Sequence, residues 1–216
     1  MSLGYGVVQL DVTIVNTAVN AIGISLGGGV TELQWVVSAY TIAFAAFILT
    51  AGALGDRIGS KRIFIAGFAL FTAASVACAL APNAATLISA RCVQGLAAAI
   101  LVPNSLALLS HAYPDEKARG RAVGTWAAAS AITGALGPLV GGWLVDAVSW
   151  RAIFLINLPI AAVAVWLSWR EVDESRSDET PPLDLAGAAL ATVGLGLATF
   201  GLTELATQDA AAATRV

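Results

Sequence analysis

IFIAGFALFTAASVACALAP, residues 63–82, runs its whole length without a charged side chain. A hydrocarbon core of about 30 Å takes about 20 apolar residues in helical form to cross, so this stretch is long enough. Lipid offers the backbone no water, and within a single segment only a helix satisfies every N–H and C=O. Six further stretches read the same way: 5–26, 34–54, 85–109, 122–146, 152–169 and 183–203. Seven apolar helices with short polar loops leave no wet face for a soluble fold. The expectation is an all-α integral membrane protein. Its parts would be a six-helix domain at 1–169, a cytoplasmic linker at 170–182, a seventh membrane helix at 183–203 and a short outer tail at 204–216.

Composition narrows the class. Hydrophobic residues make up 58% of the chain and charged ones 12%, half the share usual in soluble domains. A net charge of −3 without a basic stripe argues against a nucleic-acid partner. Cys78 and Cys92 fall inside spans three and four, a setting unlike the small secreted scaffolds that carry disulfides. His111 is the sole histidine and has no companion at ligand spacing, so neither a metal nor another cofactor is expected. It also leaves no Ser/His/Asp set to assemble. Gly27-Gly28-Gly29 lacks the Lys-Ser or Lys-Thr of a phosphate loop, and Gly194-Leu-Gly196 lies within a span; both fail as nucleotide motifs. The chain does not read as an enzyme. Nor does its first stretch read as a cleavable leader, because it runs directly into a polar, motif-bearing helix.

The basic residues orient the spans. With the N-terminus in the cytoplasm, the loops after spans two, four and six hold Arg57, Lys61, Arg62, Lys117, Arg119, Arg121, Arg170 and Arg176. The other side receives Arg151 and Arg215, and Arg91 lies inside span four. This is a strong positive-inside bias, and it predicts a multi-pass protein of the plasma (inner) membrane with a cytoplasmic N-terminus. Trp35, Trp143 and Trp150 near one interface and Trp126, Trp166 and Trp169 near the other act as anchors.

Three motifs carry a resemblance. Gly52-Ala-Leu-Gly-Asp56-Arg57-Ile-Gly59-Ser-Lys61-Arg62, in the turn between spans two and three, is similar to the G-x-L-x-D-R-x-G-x-[KR]-[KR] loop of the major facilitator superfamily. Arg91-Cys-Val-Gln94-Gly95 on span four resembles the superfamily's R-x-x-Q-G element, and Arg91, Gln94, Ala98 and Ser105 fall on one helical stripe. Gly134-Ala-Leu-Gly137-Pro138-Leu-Val-Gly141-Gly142 on span five looks like the G-P-x-x-G-G motif of the antiporter branches. One departure stands there: Thr133 occupies a place where the family usually has glycine, and Gly134 follows one position late. Leu10-Asp11-Val-Thr13-Ile-Val-Asn16 on span one and the run from Trp150 to Pro159 entering span six resemble the drug:proton antiporter family with fourteen spans. Pro182-Leu-Asp184-Leu-Ala-Gly187 fits the helix pair which that branch inserts between its two halves.

Span one holds the candidate proton carrier. A carboxylate is costly in a bilayer core and is by default a functional candidate; here it is Asp11. Thr13, Asn16, Thr17 and Asn20 lie on the opposite side of the same helix, at about 100° per residue. One face lines a cavity and the other packs against neighbours, and the sequence leaves open which. Counting rise from the outer ends places Asp11 about 20 Å deep and Arg91 about 10 Å deep, so the sequence does not decide whether the two pair.

The resemblance implies the N-terminal six-helix bundle of a major facilitator fold plus a seventh helix, with two inverted three-helix repeats and a substrate site near the midplane between halves. It also implies proton-coupled efflux of small amphipathic compounds such as drugs or antibiotics. Asp11 and Arg91 would couple the proton, and Thr13, Asn16, Thr17, Asn20, Gln94 and Ala98 would line the cavity. Gly52, Asp56, Arg57, Gly59, Lys61 and Arg62 would form a cytoplasmic latch; Gly134, Gly137, Pro138, Gly141 and Gly142 would form a gate or packing seam. The partners are the lipid bilayer, a small-molecule substrate and a missing C-terminal half, without which residues 1–216 are expected not to transport. The alternatives are a proton-independent facilitator or importer, and a non-transporting remnant or regulatory subunit.

Overall fold

The computed structural model describes residues 1–172, 174 and 185–213. The chain forms α1 (Ser2–Leu26), α2 (Val30–Ile58), α3 (Ser60–Ala79), α4 (Ala84–Ala112), α5 (Glu116–Ala147), α6 (Ala152–Leu155), α7 (Asn157–Glu171) and α8 (Leu185–Ala213). No strand occurs among the described residues. With α6 and α7 taken as one segment, six helices are long and apolar enough to cross a membrane.

Every expected span is helical over its described residues, and most reach past the expected ends. Hydropathy marks where lipid stops, whereas backbone hydrogen bonding continues into the interface until a cap ends it. Asp115 starts α5 by accepting from the Ala118 N–H at 2.8 Å, and Asn83 starts α4 by accepting from the Thr86 N–H at 2.9 Å. Gly27 closes α1 in the left-handed conformation at φ 68°. In span six Pro159 supplies no N–H to the Leu155 carbonyl, so α6 and α7 are separated at Ile156, whose φ of −62° and ψ of −24° keep the backbone helical through the junction. The seventh helix continues beyond residue 203 to Ala213, so much of the expected tail is helical. Most of the expected linker, with Arg176 and Pro181 to Asp184, lies outside the described residues, as does Arg215.

Within the bundle α4 packs mainly on α2 and α3, and α1 on α5, while α7 lies against α3 and α1. Small residues set the spacing. A methyl group on Gly95 of α4 would overlap the main-chain carbonyl of Tyr40 on α2, so these two backbones touch. Helix α8 rests on the side of α2, where Thr50 and Thr192 share a hydrogen bond of 2.9 Å and Trp35 meets Phe200.

Two apolar clusters fill the interior. One gathers Leu10, Ile14, Ile22, Val36, Leu87 and Phe154; the other gathers Val7, Val8, Phe64, Phe68, Phe71 and Leu101. Asp11 lies on α1 between Leu10 and Ile14 of the first, about one turn from Val7 and Val8 of the second.

Candidate functional site: a buried carboxylate knot

Helix α1 is buried along Val7, Val8, Leu10, Asp11, Ile14, Val15, Ala18 and Ile22, the stripe expected of one helical face. This decides which side of span one packs: the side with the acid. Asp11 is fully buried, while Asn16, Thr17 and Asn20 are exposed on the far side.

Four helices send polar groups to the knot around that carboxylate. From α4, Arg91 Nη1 donates to Asp11 Oδ2 and, at 2.8 Å, to Gln94 Oε1. Gln94 Nε2 donates to Asp11 Oδ1 and to Ser75 Oγ of α3, each at 2.9 Å. From α7, Asn157 Nδ2 reaches the same two oxygens at 3.2 Å each. Helix α2 contributes the Val36 carbonyl, which accepts from Arg91 Nε at 3.1 Å, and the Tyr40 ring, whose centroid lies 4.3 Å from the Arg91 guanidinium carbon. Cys78 Sγ completes the set by donating to Gln94 Oε1 at 3.4 Å.

The depth difference counted along the sequence is thus bridged. Gln94 sits about one turn further along α4 than Arg91, and it joins the long guanidinium arm in reaching the carboxylate. Two opposite charges, each at most 1% exposed, hold together in a low-dielectric interior because the remaining donors and acceptors are nearly all met. Two atoms are not met: the Tyr40 hydroxyl and Asn157 Oδ1 are buried without a hydrogen-bond partner. The knot can hold a charge pair dry, and a proton arriving at Asp11 would neutralise one member of it.

The other expected site residues separate into groups. Gln94 and Ala98 lie inside the bundle with no exposed surface, so neither faces an open cavity. Thr13 and Thr17 sit in the α1–α5 seam. A methyl on Gly137 would strike Thr13 Oγ1, and one on Gly141 would strike Thr17 Oγ1, while Gly134 faces Gln9. The glycines of span five are therefore the floor on which α1 lies. Pro138 points out of that seam and is exposed, and Gly142 has open space beside it. Thr133, in the place of the usual glycine, is accommodated by Gly6 on α1, where a methyl would come within 3.2 Å of its hydroxyl.

At the turn between α2 and α3, the single residue Gly59 adopts φ 120°, a conformation that favours glycine. Glu174 covers it, accepting from the Lys61 backbone N–H at 2.9 Å and lying 3.5 Å from Arg62 Nε. Lys61 Nζ donates to the Trp169 carbonyl at 3.2 Å. Gly52 lies nearby, its added methyl meeting Pro103 of α4 at 3.5 Å. Asp56 and Arg57 stay outside this contact, exposed and without a hydrogen bond or ion pair among the described residues.

Sequence reasoning missed Ser75, Tyr40, Asn157 and Glu174. Asn157 had a legible signal, a carboxamide inside an apolar span. Ser75 and Tyr40 had none, because both are common in membrane helices that merely pack.

The sequence model of the Major Facilitator Superfamily matches residues 1–210. The methylenomycin A resistance protein of Streptomyces coelicolor is 42% identical over 94% of this chain and 43% of its own length. The multidrug resistance protein Stp of Mycobacterium tuberculosis is 42% identical over 94% of this chain and 38% of its own. The drug efflux pump JefA of the same species is 37% identical over 94% and 40%. The chain thus spans about two fifths of the length of the curated relatives it matches. A crystal structure of a mutant peptide transporter POT with sulfate superposes with a TM-score of 0.69 at 16% identity, covering 93% of this chain and 44% of that one. That likeness concerns the fold. Since the family's sequence model extends over almost every residue that builds the bundle and the knot within it, this chain belongs to the Major Facilitator Superfamily.

Proposed function

We propose that this chain supplies the N-terminal bundle of a proton-coupled exporter of small amphipathic compounds such as drugs or antibiotics. One observation carries the reading: an acid of the first span is sealed inside the bundle against an arginine of the fourth. An ionisable pair at that depth costs several kcal/mol to desolvate and is by default functional. The names of the relatives, which speak of methylenomycin A resistance, multidrug resistance and drug efflux, favour export of such compounds.

In this reading a proton entering at Asp11 cancels the charge that holds Arg91, and the bundle relaxes toward its other facing state. The exposed residues Asn16 and Asn20 then face the substrate path, and Gln94 acts behind them through Asp11. Asp56 and Arg57, exposed at the turn, are available to a second bundle as the latch. The glycine seam of α5 moves with α1 as one body. The bundle sits in the plasma (inner) membrane with its N-terminus in the cytoplasm, as its basic loops suggest.

The test is Asp11→Asn in the transporter that contains this bundle, reconstituted in vesicles with an imposed pH gradient. Dye or antibiotic efflux should lose its dependence on the gradient. Unchanged gradient-driven efflux would overturn the reading, and full activity without any gradient in the parent protein would favour a facilitator.

A further inference from the structure

Asp11 Oδ1 is met by two carboxamides, and their oxygens are treated very differently. Gln94 Oε1 accepts from Arg91 Nη1 and from Cys78 Sγ, whereas Asn157 Oδ1 is buried and accepts nothing. Around the charged carboxylate both amides present their N–H groups to it, which leaves the Asn157 oxygen an idle buried acceptor.

A proton from water adding to Oδ1 makes that oxygen a donor. It would then face two donors, and one amide must turn. Turning Gln94 would break the two bonds its oxygen accepts and its own bond to Ser75 Oγ. Turning Asn157 breaks only its bond to Ser75 Oγ, since its bond to Asp11 is already lost, and it brings an idle acceptor to the new O–H. Placing the proton on Oδ2 instead would set it against Arg91 Nη1, which has no acceptor to offer.

We propose that Asn157 is the positioning residue that reads the protonation of Asp11: its amide donates to the carboxylate, and it reverses to accept from the protonated acid. This rests on the proton-carrier reading above. The turn releases Ser75 of α3 from Asn157, the first residue of α7. Proton arrival on α1 is thereby passed to the contact between α3 and α7. The charged and titratable groups facing Asp11 are Arg91 on α4, Tyr40 on α2 and Cys78 on α3; none of them offers a carboxylic O–H an unused carbonyl oxygen.

Acid-minus-neutral infrared difference spectra of the full chain in lipid vesicles test this, using protein made with and without side-chain 15N-asparagine. The expected result has two parts. A carboxylic C=O band appears that Asp11→Asn abolishes, and a carboxamide band appears that moves with the label. Asn157→Leu removes the carboxamide band and retains the carboxylic one, and Asn157→Ser does the same should the leucine variant fail to assemble. A carboxylic band with no label-sensitive partner, or with one that survives both substitutions, overturns the role of Asn157 while leaving Asp11 as carrier. Absence of the Asp11 band across the pH range overturns the carrier reading, and the inference with it.

Discussion

Removing one partner of the Asp11–Arg91 pair should cost far more than removing both. Arg91→Leu deletes the bonds from Nη1 to Asp11 and Gln94, the Nε bond to Val36 and the stack on Tyr40. What remains is a carboxylate with no exposed surface, met by two neutral amides. Breaking a buried pair from one side costs about 3–5 kcal/mol, mostly because the other charge stays behind. Asp11→Asn leaves the guanidinium in the same position and should cost a similar amount. Were the effects independent, the double variant would lose about 6–10 kcal/mol, the plain sum of two such losses. With both charges gone the expected loss is about 3 kcal/mol or less, a coupling of at least about 3 kcal/mol. Unfolding of the purified chain in mixed micelles by added sodium dodecyl sulfate, followed by helical circular dichroism, reads all four corners of the cycle. Additivity within about 0.5 kcal/mol would show that the two charges do not depend on each other, and the electrostatic account of the knot would be wrong.

Glycine substitutions should divide by what lies opposite them. Gly95→Ala drives a methyl into the Tyr40 backbone, which has no flexible end to swing aside, and should cost about 1–3 kcal/mol; Gly124→Ala faces open space and should be neutral or gain up to about 1 kcal/mol. Equal midpoints for the two in the same unfolding assay would refute the packing described. Gly55→Ala would strike the Asn104 amide, so Asn104→Ala should restore part of the lost stability, and a double variant worse than either single one would count against that contact. Asn83→Ala removes the cap that accepts from both the N–H and the hydroxyl of Thr86 and should cost about 1 kcal/mol; amide exchange confined to the first turn of α4 would rise with it, and an unchanged exchange rate would contradict the cap.

The spans were legible because a bilayer imposes one rule on a whole segment, and residues 63–82 obey it without exception. Their ends were less so, since residues such as Glu116 to Arg121 are too polar for lipid yet keep the helix of α5 going. Span six reads as continuous and its backbone stays helical through Ile156; the separation of α6 from α7 traces to Pro159, which has no N–H for the Leu155 carbonyl. At the site, the motif spacing singled out Asp11, Arg91 and Gln94, but a helical wheel of span one gives two faces without saying which one meets neighbours. Burial of Val7, Ile14 and Ala18 beside Asp11 settles it, and only the three-dimensional packing supplies that. The same limit explains Thr13 and Thr17: polar residues opposite an acid suggest a wet lining, whereas they pack on glycines of another helix. Glu174 was illegible because nothing in a charge-dense linker marks an acid that folds back onto Gly59.

The two halves of the ion pair are 80 residues apart in the chain, and a ribosome adding about 5–20 residues per second needs roughly 4–16 s to make that distance. During biogenesis Asp11 thus enters the translocation channel well before Arg91 exists to meet it. A lone acid at mid-helix raises the insertion free energy by about 2.5–3.5 kcal/mol, and Asn157, still later in synthesis, cannot relieve it either. The first span therefore carries that cost through insertion against the gain of its own apolar residues, and its acid meets its partner only when the fourth span arrives.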